Sequence, residues 1–144
     1  VYKRQVLYED GQQLRDYVYV EDVVEANLLV LKSNASDGQV FNVAGMRPVT
    51  VEELARLVVE ACGSEMEPEI PGVFRFGDTR HTVSDASRLG ALGWHAKTPV
   101  ETIVEEYVSW VRIQPDWQSF YEQAEIEMVR EGVIRQIQLC TGSK

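Results

Sequence analysis

The sequence predicts an α/β chain, and three stretches carry that expectation. Arg15 to Val20 is rich in β-branched and aromatic residues, and it passes without a break into apolar residues at helical spacing from Glu21 to Leu31. After a turn, Gln39 to Val43 reads as a second, short buried strand. Thr50 then opens a well-marked helix. A strand, a crossover helix and another strand suggest a piece of a parallel sheet.

Taken in order, the first local signal is Asp10-Gly11, a pair that readily adopts the positive φ angles of a hairpin turn between Val6–Tyr8 and Arg15–Val20. Strand alternation in that second flank puts Tyr17 and Tyr19 on one face and Val18 and Val20 on the other. In the helix that follows, Val24, Leu28 and Leu31 form the predicted apolar stripe, joined by Val23, Ala26 and Val30, while Glu21 and Asp22 suit the positive end of the helix dipole. Residues 33–38 (SNASDG) stop it. After the strand at Gln39–Val43, Ala44-Gly45 ends the extended run. Thr50 as N-cap with Glu53 forms a capping box, Val49 can staple onto Leu54, and Gly63 should close the helix. Glu65 to Pro71 is an acidic surface connection. Gly72 to Asp85 reads as loop and short strand, holding Arg75, Asp78, Arg80 and His81 around Gly77. Asp85 starts a short helix that Gly93 closes. Thr98-Pro99-Val100-Glu101 looks like a second capping box, leading a helix that packs through Val100, Ile103, Val104, Tyr107, Val108 and Val111. Past Pro115, Asp116 can cap a last helix with Trp117, Tyr121, Ala124 and Met128 along one stripe, ended by Gly132. The tail from Val133 offers no readable chemistry, and there is no internal repeat.

Composition bounds the function. The 144 residues amount to about one domain, and 44% hydrophobic with 9% aromatic content fits a folded protein. A net charge of -9 argues against general binding to nucleic acid or an anionic membrane, both of which need a basic face. It leaves room for a small anion held by a few local arginines. Cys62 and Cys140 lie far apart with no histidine at metal-ligand spacing, so no metal site is expected; they read as two reduced thiols of a cytoplasmic protein, with Cys62 on an apolar helix face. The apolar runs are too short for a transmembrane helix or a signal peptide.

RDYVYVEDV at Arg15–Val23 after a glycine and a short polar spacer, FNVAG before VTVEELARLV, the R-x-G-D of Arg75 to Asp78, the D-x-S of Asp85 to Ser87 and the pair Gly93-Trp94 together resemble the extended short-chain dehydrogenase/reductase family. The closest likeness is to its NAD-dependent sugar-nucleotide epimerases and dehydratases, of the UDP-glucose 4-epimerase kind. The resemblance implies the C-terminal part of a Rossmann-type fold: late parallel strands and crossover helices plus a small, mainly helical substrate-binding subdomain. Residues 1–144 would be the nucleotide-sugar-binding portion, without the N-terminal dinucleotide-binding half. In keeping with that, no glycine fingerprint follows a strand, and no tyrosine has a lysine four positions later. The spacing Gly90 to Gly93 falls within and at the end of a helix, where it cannot cradle a pyrophosphate. No catalytic residue is therefore assigned. NAD belongs to the parent enzyme, and the chain alone is expected to bind no cofactor and to be inactive.

The same resemblance assigns Arg15 and Arg75 to the diphosphate of a UDP- or dTDP-linked sugar, a match a guanidinium fork suits, and Asp78 to a ribose hydroxyl, since a carboxylate only accepts hydrogen bonds. Arg80 and His81 sit beside them as weaker candidates. Phe76 stands where the family commonly has proline. Each assignment has a plainer rival: Arg15 paired with Asp16 or Glu21 on the surface, Arg75 and Asp78 as a loop ion pair, His81 as a hydrogen-bonded structural group. The function implied is the binding portion of a 4-epimerase that works through a 4-keto intermediate, the parent being a homodimer. Two alternatives stay open: a portion of a 4,6-dehydratase or reductase of the same family, and a non-catalytic scaffold or oligomerisation module using the helices after Thr98.

Overall fold

The computed structural model describes residues 6–115 and 121–136. The chain is mixed helix and strand. Strand β1 (Leu14–Arg15) pairs antiparallel with β2 (Val49–Thr50), in the register Leu14 to Thr50 and Arg15 to Val49. The hairpin expected across Asp10-Gly11 does not form. Its first flank runs instead beside residues 69–73, with Leu7 N donating to Glu69 O at 2.8 Å and Glu9 N to Val73 O at 2.7 Å. The positive φ angles fall on Glu9 (57°) and Gly11 (74°), and the Asp10 carboxylate accepts from Gln12 N at 3.0 Å, so an Asx turn widens the bend beyond a two-residue loop.

Asp16 to Tyr19 join no ladder, yet the predicted alternation holds for Tyr17, Val18 and Tyr19, while Val20 is already the exposed first residue of the next helix. Tyr17 packs beside Val49, Val100, Val104 and Val108, and the Tyr19 hydroxyl donates to Glu106, whereas Val18 faces Ala26, Leu89 and Trp94. Helix α1 (Val20–Lys32) then starts after Tyr19, an N-cap still in the extended region at φ -70° and ψ 142°. Its expected stripe is on the wrong side. Val24, Leu28 and Leu31 are exposed, and the buried positions are Asp22 and Ala26. Asp22 fixes the rotation: Oδ2 accepts the amides of Lys97 (3.2 Å) and Thr98 (3.0 Å), and its carbonyl accepts Trp94 Nε1 at 3.1 Å. At 100° per residue, that anchoring turns positions 24, 28 and 31 outward.

Gln39 to Val43 joins no ladder among the described residues, although Phe41 and Val43 pack beside Leu89 and Trp94. The regular strands described here pair antiparallel, and parallel pairing is confined to single bridges, Val6 to Glu69 and Arg15 to Thr82. Where a parallel ladder was expected, a side chain holds the segments together. Asp16 accepts Gly45 N on Oδ1 (2.7 Å) and Ser84 N on Oδ2 (3.1 Å).

Helix α2 (Val51–Ala61) begins as its sequence requires, with Thr50 Oγ1 accepting Glu53 N at 3.0 Å and buried Val49 packed near Leu54. Gly63, at φ 67°, follows its last turn. Strand β3 (Val73–Arg75) comes next, then the short α3 (Ser87–Gly90), whose first amide is capped by Asp85 and whose Leu89 is fully buried. Helix α4 (Val100–Arg112) packs on α2 through Val100, Val104 and Val108, while Tyr107 stays exposed. Its predicted capping box is absent. Pro99 is the N-cap, Thr98 N is taken by Asp22, and Glu101 turns to Arg47 (3.0 Å).

Helix α5 (Tyr121–Arg130) precedes a turn at Gly132, φ 69°, but Asp116 and Trp117 lie outside the described residues, as does Cys140. Strand β4 (Ile134–Gln136) then pairs antiparallel with β3, in a tail whose sequence announced nothing. Cys62 caps α2 and is exposed, not packed on an apolar face. Among the described residues no helix is long and apolar enough to cross a membrane.

Candidate functional site

Two loops, residues 8–15 and 75–82, meet beside β1, and all five residues singled out from the sequence lie on them. β3 is held on one side by Glu9 N to Val73 O and on the other by β4, where Arg75 opposes Ile134. That places Arg75 at the end of a supported strand. Gly77, at φ 92°, lets the chain turn there, and Asp78 N donates back to Arg75 O at 3.3 Å, so Asp78 stands across a tight turn from Arg75. The chain then returns to β1, with Thr82 N on Leu14 O at 3.0 Å.

Arg15 ties the loops together. Its guanidinium donates to the carbonyls of Leu14 (2.8 Å), Arg80 (2.8 Å) and Thr79 (3.1 Å), three of its five N–H donors. The surface ion pair with Asp16 or Glu21 that the sequence allowed does not form; Asp16 is turned to Gly45 and Ser84. Arg75 takes a different partner. Its guanidinium lies 5.0 Å from the Tyr8 ring centre, and its Nε is buried without a hydrogen-bond partner among the described residues. Tyr8 Oη and Gln13 Oε1 are buried and unpartnered in the same way. Gln13, 4% exposed, donates through Nε2 to Tyr8 O at 2.6 Å.

Arg80 and His81 are placed differently. Arg80 forks onto Glu9 (2.6 Å) and Asp10 (2.7 Å), and its hydrogen bond, with the Gln12 amide second, holds the Asp10 carboxyl below the usual carboxylate range. His81 Nδ1 accepts Leu14 N at 3.2 Å, which puts the neutral ring's proton on Nε2. Both fasten the loop. The electrostatic contrast matters: Arg80 is matched by two carboxylates, whereas Arg15 and Arg75 rest on carbonyls and a ring, with no carboxylate partner among the described residues. Two guanidinia without a countercharge, with Asp78 close to one of them, suit a ligand with a charged end and a hydroxyl.

Sequence reasoning missed Tyr8, Gln13 and Asp16. Only Asp16 left a signal, its place beside Arg15. Gly45 is its partner for a steric reason, since a Cβ there would lie 2.0 Å from Tyr17 O. The described residues contain no group of three His, Cys, Asp or Glu able to hold a metal ion. Gly90 ends the four-residue α3 and a Cβ on it would meet the His95 ring at 3.3 Å, so the Gly90–Gly93 segment is no phosphate cradle.

The chain is similar to known proteins. The sequence profile of the NAD dependent epimerase/dehydratase family matches residues 2–44, a segment that includes Arg15 and Asp16. A dTDP-L-rhamnose 4-epimerase of Burkholderia thailandensis is 32% identical over 111 residues, which is 76% of this chain and 30% of that protein. The crystal structure of a Thermotoga maritima UDP-glucose 4-epimerase with UDP-glucose superposes with a TM-score of 0.68 at 36% identity, covering 76% of this chain and 35% of the other. A dTDP-glucose 4,6-dehydratase from Bacillus anthracis, in complex with NAD, gives 0.66 at 25% identity over 80% of this chain and 36% of the other. The chain thus spans about a third of the length of such relatives, and their fold is the Rossmann-type α/β architecture of extended short-chain dehydrogenases/reductases. On the profile match at residues 2–44 and these likenesses over about three quarters of its length, the chain is recognised as a member of the NAD-dependent epimerase/dehydratase family.

Proposed function

We propose that these 144 residues are the C-terminal, nucleotide-sugar-binding portion of an NAD-dependent sugar-nucleotide 4-epimerase, the dinucleotide-binding half lying outside them. One observation carries the reading: Arg15 and Arg75 sit on adjoining loops and lack a carboxylate partner among the described residues, in a chain of net charge -9. Burying a guanidinium nitrogen without an acceptor is costly, and an anionic ligand removes that cost. In this reading Arg15 and Arg75 flank the diphosphate of a UDP- or dTDP-linked sugar, and Asp78 accepts from a ribose hydroxyl. Arg80 and His81 keep the loop in place, and Asp16 ties it to Gly45 and Ser84. NAD, when present in the whole enzyme, supplies hydride transfer at the sugar; the described residues bind and orient the nucleotide and contribute no proton-transfer step.

Calorimetric titration of the chain with UDP-glucose, dTDP-glucose and NAD in parallel tests this. The expected result is sugar-nucleotide binding that weakens with salt, no binding of NAD, and no epimerisation by the chain with added NAD. Turnover by the chain alone, or no sugar-nucleotide binding by a folded sample, would overturn it. The likeness to a dTDP-glucose 4,6-dehydratase keeps thymidine beside uridine as the base, and the two titrations separate them.

A further inference from the structure

We propose that Arg135, in the tail strand β4, is a positioning residue for the turn from Arg75 to Asp78; the proposal rests on the nucleotide-sugar reading of that turn. The ladder sets Phe74 opposite Arg135 and Arg75 opposite Ile134, and the pairing continues one step past β3, where Phe76 N donates to Val133 O at 2.7 Å. The Arg135 guanidinium lies over the Phe76 ring, 3.9 Å from its centre, and its Nε donates to Gly132 O at 3.1 Å. Side chains opposite one another, or two apart on one strand, share a sheet face. Arg135 therefore stands with Phe74 and Phe76, on the other face from Arg75, and acts on the site only through Phe76.

The residue it holds is well chosen. Phe76 stays 63% exposed even with Arg135 over its ring, and it precedes Gly77, which turns at a φ of 92° that a side-chain residue rarely adopts. An aromatic ring in solvent beside a glycine has no reason to keep one orientation. A guanidinium stacked on the ring and anchored at Gly132 supplies one, and the β4 amide ladder fixes the backbone beneath it. The separation of Asp78 from Arg75 is thereby set by a tail that follows the rest of the site by more than fifty positions. Arginine is the suitable residue, because its plane stacks on the ring while its Nε–H stays free to donate.

The test compares the 144-residue chain with its Arg135→Ala, Arg135→Lys and Arg75→Ala variants by two measurements: amide hydrogen exchange at Phe76 to Asp78 without ligand, and titration with UDP-glucose. Arg135→Ala should speed exchange at these amides and weaken UDP-glucose binding, each about three- to tenfold, while amides of α2 and α4 keep their protection. Arg135→Lys should recover part of both. Unchanged exchange at Phe76 to Asp78 in Arg135→Ala overturns the proposal. If the wild type fails to bind UDP-glucose, or Arg75→Ala binds it equally well, the nucleotide-sugar reading falls, and the exchange data still decide whether Arg135 holds the turn.

Discussion

Asp22 and Gln13 are equally buried, at 4% exposure each, and they meet opposite fates. At the Asp22 corner the groups fit one another: the carboxylate accepts two backbone amides and its carbonyl accepts the Trp94 indole. At the Gln13 corner three polar atoms, Gln13 Oε1, Tyr8 Oη and Arg75 Nε, have no partner among the described residues. A saturated buried polar group belongs to the scaffold. An unsaturated cluster beside two arginines without a carboxylate partner among the described residues is a penalty that the proposed ligand would relieve.

The largest effect that would sharpen this contrast comes from Asp22→Ala. It leaves the amides of Lys97 and Thr98 unpaired and frees the rotation of α1, so the chain should lose about 2–4 kcal/mol of stability in urea denaturation. UDP-glucose affinity per folded molecule should stay unchanged, because the Asp22 corner and the two site loops share no hydrogen bond. A loss of affinity in the folded variant would break the separation of the two corners.

Arg75→Ala should do the reverse. Removing a charge-assisted contact to phosphate weakens UDP-glucose binding by roughly ten- to hundredfold, while removing a buried nitrogen without an acceptor shifts stability by less than about 1 kcal/mol. Arg80→Ala is the control from the paired side of the loop. It should leave affinity within about threefold, as expected for an exposed pair. Equal losses in both variants would show that the loop works as one unit.

The sequence made these corners legible to different degrees. Thr50, Glu53 and Gly63 announce α2 because caps act within a few residues, and the R-x-G-D motif from Arg75 carries its turn because Gly77 supplies the φ that the turn requires. The alternation of Tyr17 and Val18 was also readable, since opposite faces of an extended chain need no partner strand. The inward face of α1 was not. Periodicity selected Val24, Leu28 and Leu31, but the rotation is set by hydrogen bonds to residues 94–98, which lie about seventy positions away. Distance along the chain also hid β4, which pairs with β3 across about sixty positions. Gln13 acts on Tyr8, only five positions away, but carries no cap or turn signature that would announce it.

Gln13→Met gives a smaller effect with a definite sign. The substitution removes the unpartnered carbonyl and keeps volume, so stability should change by less than about 1.5 kcal/mol. Losing the bond to Tyr8 O frees the ring on which Arg75 rests, so UDP-glucose affinity should fall about three- to tenfold. Titration and urea denaturation of the one variant provide both numbers. A substantial loss of stability with unchanged affinity would assign Gln13 to the scaffold beside Asp22.

The smallest effect lies on the acid side of pH and concerns two exposed ion pairs, one on the loop and one at the start of α2. Arg80 lowers the Asp10 carboxyl, and Arg47 lowers that of Glu53, each mainly through a hydrogen bond. A carboxyl with a depressed folded-state pKa contributes stability above its unfolded value, near pH 4, and loses it as pH falls through the folded value. Unfolding midpoints should therefore decline below about pH 4, and Asp10→Asn should make the slope shallower. Salt should shrink the difference between the two proteins, because these side chains are exposed. Arg75 has no carboxylate partner among the described residues, so Arg75→Ala should leave that acid slope as it is in the wild type. A shallower slope in Arg75→Ala would instead mean that a carboxylate pairs with Arg75 in solution, and the guanidinium proposed for the diphosphate would already be neutralised.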